Sequence, residues 1–265
     1  MNRLLLTIST AMMLFAMGCS TSPDASTGFL EVRMFDAPDN YEQVNVFVER
    51  VEMNRADSGE GWEVVSEPEQ QYDLLELTNG NFEVIADAEL ETGTYNQIRL
   101  ILSRENNNVV IDGEEHSLKI PSGSETGIKL NVNAEILEGI RYVLLLDFDV
   151  NRSVVRTGQA PVPGFILQPV IRAISQAESG NIGGSVQSDA EALITAYLDG
   201  EEITSTYADP ETGSFLLVGL EEGSYTIVIE PGSENYNGTQ IEDVEVIIGE
   251  TTDLEEIELE EVSSD

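Results

Sequence analysis

The chain has 265 residues, with 50 Asp and Glu against 12 Lys and Arg, a net charge of −38, one histidine and one cysteine. Phosphate recognition needs a basic footprint, so nucleic acid and anionic membrane surfaces are poor partners for it. A single cysteine excludes a disulfide framework, and one histidine beside it cannot supply the ligands of a zinc centre.

Met1 to Gly18 carries Arg3, then an apolar stretch from Leu4 to Met17, then small residues, which are the three parts of a secretory signal. The stretch is shorter than a spanning helix and gives way at once to Ser20-Thr21-Ser22-Pro23-Asp24. Ala16-Met17-Gly18-Cys19-Ser20 resembles the end of a bacterial lipoprotein signal, with Ala16 and Met17 departing from its usual residues. That resemblance implies cleavage after Gly18, acylation of Cys19, and attachment through the lipid to a membrane of the bacterial cell envelope, most simply the outer membrane. The alternative is ordinary signal cleavage that leaves a free thiol. Each buried CH₂ of an acyl chain contributes ~0.8 kcal/mol of membrane affinity, so several chains anchor firmly. Residues 19–27 are then a polar tether, expected to be disordered.

Beyond the tether the chain alternates with period two and shows no run at helical period. Phe29 to Phe35 and Val44 to Glu49 alternate, and the face slips at Arg50-Val51-Glu52-Met53, which predicts a β-bulge or bend. Further strands are predicted at Trp62 to Val65, Tyr72 to Leu77, Tyr95 to Ser103, Val109 to Ile111, Ser117 to Ile120, Ile128 to Val132, Arg141 to Asp149 and Phe165 to Ala173. Asp112-Gly113 tolerates positive φ and marks a hairpin, while Thr78-Asn79-Gly80-Asn81 and Pro121-Ser122-Gly123-Ser124 read as loops. These strands suffice for one β-sandwich over residues 28–176.

A seam follows at Ser175 to Gly180, where basic residues stop. From Ala173 to Asp265 there are 23 acidic residues and no Lys or Arg, whereas Ser20 to Arg172 carries 27 acidic and 11 basic. The acidity is either a solvated surface suited to salty surroundings or a collector of cations and basic partners. Seven more strands are predicted, at Gly183 to Val186, Leu193 to Leu198, Ile203 to Ala208, Phe215 to Val218, Tyr225 to Glu230, Ile241 to Ile248 and Leu254 to Leu259. They make a small second sandwich over residues 180–260, followed by an acidic tail, 261–265. The fold class is therefore all-β, two β-sandwich domains in tandem after a cleaved signal.

Two resemblances carry family names. Asp36-Ala37-Pro38, the run from Asp73 to Gly80, Gly93-Thr94-Tyr95, Leu118 to Gly123, Gly127 to Leu130, Leu146 to Asp149 with Arg152-Ser153-Val154, and Pro169 to Arg172 together resemble the bacterial domain of unknown function 4382. That family implies no activity. Gly183 to Val186, the Ala192 to Tyr197 strand, Gly213-Ser214-Phe215, Gly219-Leu220, Gly223-Ser224-Tyr225 and Gly249-Glu250-Thr251 are similar to carboxypeptidase regulatory-like modules, relatives of transthyretin and of adhesin repeats. Such modules are accessory stalks, and some relatives bind carbohydrate. The Lys-to-Asn isopeptide bond of adhesin repeats is chemically impossible here, because this unit has no lysine.

Little in the chain announces catalysis. His116, the only histidine, lies on a predicted strand and reads as a surface residue, and a nucleophile needs a base with an orienting third group. Asp147, Asp149 and Asn151 alternate onto one face, and Asp36 joins them if its strand end lies nearby. Oxygen ligands of this kind make either a Ca²⁺ site or a loop brace. Trp62, the only tryptophan, and Tyr236 are candidate sugar platforms or packing residues. The sequence thus reads as an envelope lipoprotein without enzymatic activity, a binding or structural module for a protein or glycan. The competing reading is a carbohydrate-binding or glycan-hydrolysing surface component.

Overall fold

The computed structural model describes residues 26–37, 41–56, 61–121, 127–158 and 164–262. Cys19, the signal segment, the loop at 122–124 and the last three residues of the acidic tail lie outside the described residues. The tether expected through Thr27 ends earlier, because Ser26 hydrogen-bonds Thr92 and Thr27 opens the first strand.

Thirteen strands form the first half: β1 (Thr27–Ala37), β2 (Gln43–Arg55), β3 (Glu63–Ser66), β4 (Gln70–Asp73), β5 (Glu83–Glu91), β6 (Gly93–Leu102), β7 (Asn108–Ile111), β8 (Glu114–Lys119), β9 (Ile128–Ile136), β10 (Arg141–Asp149), β11 (Val154–Thr157), β12 (Gly164–Leu167) and β13 (Ile171–Ser175). A four-stranded sheet in the order β13-β10-β1-β5 faces a nine-stranded sheet in the order β11-β12-β8-β7-β2-β6-β9, with β3 and β4 also on β2. Leu30, Val32 and Met34 of β1 and Leu144, Leu146 and Phe148 of β10 point into one core between them.

Local chemistry explains the departures from the predicted strands. The slip at Arg50 is a register shift inside one long strand, β2. Asp73 accepts a hydrogen bond from the Leu75 N–H and turns Leu74–Glu76 into a 3-10 turn, which cuts short the strand predicted to Leu77. Pro169 has no N–H to give a ladder, and the strand predicted over Phe165 to Ala173 divides into β12 and β13 on different sheets. Asp112 and Gly113 have φ of 52° and 74° and close the β7–β8 hairpin as expected.

The second half has seven strands: β14 (Gly180–Val186), β15 (Leu193–Leu198), β16 (Glu201–Tyr207), β17 (Ser214–Leu220), β18 (Gly223–Glu230), β19 (Thr239–Val246) and β20 (Thr251–Ile257). Sheets ordered β17-β14-β20 and β16-β15-β18-β19 enclose a separate core of Ile182, Ile194, Leu217, Ile227, Ile229 and Val246 among others. Burying each such side chain contributes about 1.5–3 kcal/mol. The acidic segment after β20 stays bound, since Tyr236 bridges Glu261 and Val262 donates to the Asn235 carbonyl.

β10 positions the joint between the halves. It is buried on both faces from Leu144 to Phe148. The core covers Leu144, Leu146 and Phe148, while the outer-facing Leu145 meets the second sandwich.

Candidate functional site

The four expected cation ligands are not gathered at one point. Parallel pairing sets Phe35 beside Asp147 and Asp36 beside Phe148, so Asp36 faces inward and Asp147 outward. Asp36 is 3% exposed; one of its oxygens accepts from the Val150 N–H at 3.1 Å and the other has no partner. Burial, then the neighbouring Asp147 charge, pushes its carboxyl well above the ordinary 3.8. Asp147 is equally buried and accepts from Arg172 Nη2 at 2.7 Å and Nε at 3.2 Å. Its carboxyl is raised by burial against the pull of Arg172.

Alternation then stops, because the chain turns at Asp149 into the single helical turn α1 (Val150–Ser153). Asp149 caps that turn, accepting from the Arg152 N–H at 2.9 Å, and Asn151 sits exposed on it. Among the described residues, no group of three or more His, Cys, Asp or Glu side chains is placed to hold a metal ion. Asp36 and Asp149 instead hold the strand end and the turn together.

The aromatic candidates are engaged within the chain. Trp62 is half-buried under the Arg99 guanidinium, 4.4 Å above its ring, with the Lys129 ammonium 5.7 Å away. Arg99 and Arg50 grip the buried Glu52, with Nε to carboxylate distances of 2.6 Å from each. Burial alone raises the Glu52 carboxyl, but the two arginines outweigh it and the group lies below its ordinary value. Tyr236 packs half-buried on the second core and donates its hydroxyl to the Asp189 carboxylate, at 3.0 and 3.1 Å; that bond pushes the phenol up. His116 lies 5.3 Å from the Phe165 ring, tilted by 47°, as a packed strand residue.

A joint that the sequence did not announce lies where the two sandwiches meet. Asn79, at φ 54°, donates its backbone N–H to the Thr206 hydroxyl at 3.0 Å and its amide to the Ser214 carbonyl at 3.2 Å. Its amide oxygen accepts from the Leu216 N–H at 2.7 Å. Ser214 and Leu216 lie on β17 and Thr206 on β16, which are edge strands of the two sheets of the second sandwich. The amide of Asn79 therefore takes the backbone groups a further strand would take, and closes an edge otherwise open to other chains. Gly80, at φ 80°, follows because a Cβ there would lie 2.8 Å from a Leu216 methyl.

Arg172 pins the other side of the joint. While gripping Asp147 it donates Nη1 to the Gly219 carbonyl at 2.7 Å. Gly219, at φ 69°, packs on Phe35, Leu145 and Ile174 of the four-stranded sheet. Between these contacts lies a cleft with a cavity volume of about 230 Å³. Phe35 and Leu145 of the first sandwich and Leu216 and Val218 of the second give it apolar surface, Asn81 adds an amide, and the Asn181 amide in its wall accepts from the Gly219 N–H at 3.2 Å and donates to the Thr251 hydroxyl at 3.4 Å. Arg33 and Phe82 also line it, with the guanidinium 4.4 Å above the ring and bonded to Glu31 at 2.6 Å and to Gln176 at 3.1 Å.

A legible signal for the joint was Leu145. An apolar residue on the outward face of β10 means that something covers that face. Asn79-Gly80 reads as a turn, and nothing local says what the turn touches.

A protein-family model described as Domain of unknown function (DUF4382) matches residues 27–169, more than half of the chain. No curated protein matches it. Among solved structures, the Bacillus anthracis TIE protein is similar at 15% identity and TM-score 0.25, over 89% of this chain and 34% of that one; the chain thus spans about a third of that protein's length. GBS52, the minor pilin of Streptococcus agalactiae, is similar at 10% identity and TM-score 0.26, over 89% and 97%. The shaft pilin SpaA from Lactobacillus rhamnosus GG is similar at 10% identity and TM-score 0.25, over 90% and 99%. At these scores the likenesses carry no argument, and the all-β class rests on the sheets themselves.

Proposed function

The chain belongs to the DUF4382 family, and from the way its halves lock together we propose that it is a non-catalytic module of the bacterial cell envelope, lipid-anchored through Cys19 and presenting a rigid pair of β-sandwiches to a partner. In this reading residues 1–18 are removed, and residues 28–176 and 180–260 are the two domains. The observation that carries it is the joint. Domains whose only task is to be strung along a chain need no amide seated on two edge strands and no arginine shared between a buried carboxylate and a carbonyl across the boundary. Fixed geometry is useful to an object that must hold a surface at a set angle. The lipoprotein resemblance at Cys19 and the resemblance of the second half to accessory stalk modules support the same reading. A second reading, a carbohydrate-binding surface component, draws on the cleft at the joint; Trp62 and Tyr236 are already engaged.

Metabolic labelling with an alkynyl fatty acid, followed by detergent phase partition, tests the anchor. Wild-type chain is expected to take up label and enter the detergent phase. Cys19→Ser should do neither. Equal labelling of the two forms overturns the anchor.

A further inference from the structure

We infer that the apolar turn between β9 and β10, Leu137-Glu138-Gly139-Ile140, docks on a zwitterionic bilayer surface; this rests on the anchor reading above and names the face that the anchored module lays on its membrane. The turn is bonded to the start of β1. The Gly139 N–H donates to the Thr27 carbonyl and the Phe29 N–H to the Ile140 carbonyl, both at 2.9 Å. Leu137 is 47% exposed, Ile140 55% and the adjoining Phe29 38%. A groove of about 390 Å³ lined by Leu137, Ile140, Tyr142 and Val143 extends that apolar surface. Contiguous exposed apolar side chains of this kind mark an interaction site.

The second sandwich shows which way the turn faces, because it carries the same corner bond for bond. Its turn, Ile247-Ile248-Gly249-Glu250, donates the Gly249 N–H to the Ser179 carbonyl and receives the Asn181 N–H on the Glu250 carbonyl, both at 2.9 Å. Each turn lies against a glycine, Gly28 or Gly180, whose Cβ would run into the turn's first carbonyl. The corner therefore sits on the side where the chain enters its sandwich. The first sandwich precedes Gly180, and Gly249 lines the cleft that faces it. Cys19 and its lipid precede Thr27.

Reach and charge agree. Seven peptide steps from Cys19 to Ser26, at ~3.3–3.6 Å each, span at most about 25 Å. So short a tether makes the contact intramolecular, at an effective concentration on the order of millimolar. Carboxylates around the corner are matched, Glu91 by Arg55 and both Glu31 and Asp87 by Arg141. Glu138, exposed at the tip, repels anionic headgroups, so the surface it meets is zwitterionic.

The experiment uses residues 19–265 with Cys19, the sole cysteine, coupled to a maleimide lipid in phosphatidylcholine vesicles. The coupling supplies a tether whether or not the cell acylates the thiol. In a Trp62→Phe background, Ile140→Trp should be quenched by brominated phosphatidylcholine at least about threefold more than Val262→Trp, a position 46% exposed beyond β20. Adding Leu137→Asp to Ile140→Trp should lower its quenching to the Val262→Trp level at unchanged melting temperature. Equal quenching of Ile140→Trp and Val262→Trp overturns the docking, and so does quenching that Leu137→Asp leaves intact. Fatty-acid labelling of the native chain keeps the two ideas apart: label with an unquenched turn removes only the docking, and a quenched turn without label removes only the anchor.

Discussion

The two sandwiches manage acidic sequences in opposite ways. In the first, carboxylates are seated against arginines: Glu52 between Arg50 and Arg99, Asp147 on Arg172, Glu31 between Arg33 and Arg141. From Gly180 to Val262 the second carries 21 carboxylates and no Lys, Arg or His, so no side-chain ion pair can form within it. Its charges stay at the surface or bind backbone. Asp209, for example, accepts from the N–H groups of Glu211 and Thr212 and from the Thr212 hydroxyl, and the Thr212 N–H above all draws its carboxyl below the ordinary value. The cation that reaches the second sandwich at the joint comes from the first, through Arg172. Ion pairing fixes geometry in one half, and an aliphatic core with dispersed charge serves the other.

Removing Arg172 should blur that contrast most. Arg172→Ala leaves Asp147 buried without its counter-charge and frees the Gly219 carbonyl, at a cost of about 3 kcal/mol. Calorimetry should then resolve two transitions, where the wild type is expected to melt as one coupled unit. A single unchanged transition would refute the pin.

Asn79 comes second. Asn79→Ala loses two side-chain hydrogen bonds and places a Cβ residue without a capping amide at positive φ, for about 2 kcal/mol. Asn79→Gly keeps the turn and loses only the bonds, so the difference between the variants, read by urea denaturation, separates backbone strain from edge closure.

Asp36 sharpens the contrast in pH. Its folded carboxyl is raised, so the stability it contributes is full below about 3.8 and is lost as pH rises through the folded value. Asp209 has the opposite sign: its contribution is present above 3.8 and is lost on acidification. Asp36→Asn should therefore narrow the stability gap between acidic and neutral buffer, measured by denaturation at several pH values. An unchanged gap means that Asp36 does not titrate with folding.

Salt gives the smallest effect. Going from about 0.01 to about 1 M salt shortens the screening length from ~30 to ~3 Å. The second sandwich should gain stability as its self-repulsion fades, while the first, held by partly buried pairs, should change little. Fluorescence of Trp62, the sole tryptophan, reports the first half alone, and circular dichroism reports both.

The period-two pattern made most strands legible, including the bulge in β2 and the Asp112-Gly113 hairpin. It missed β5, because Glu83-Val84-Ile85-Ala86-Asp87-Ala88-Glu89 offers acidic residues and alanines where strands favour β-branched and aromatic ones. It also missed β11, a four-residue strand placed by its pairing with β12. The shared face read for Asp147, Asp149 and Asn151 stops at a physical boundary: alternation holds only while the backbone stays extended, and α1 ends it after Asp149. The partners across the joint were illegible for a different reason, although Leu145 marked a covered face. Asn79, Arg172 and Gly219 are far apart in sequence, and each has an ordinary local role in a turn or strand.

The parallel pairing of β14 with β20 has a mechanical consequence. These are the first and last strands of the second sandwich and lie side by side. Tension applied between Gly180 and Ile257 draws the two strands past each other and loads their hydrogen bonds together in shear. A hairpin pulled from its open end yields one bond after another, like a zip. A unit tethered at one end and gripped at the other would thus meet stretching with its strongest direction.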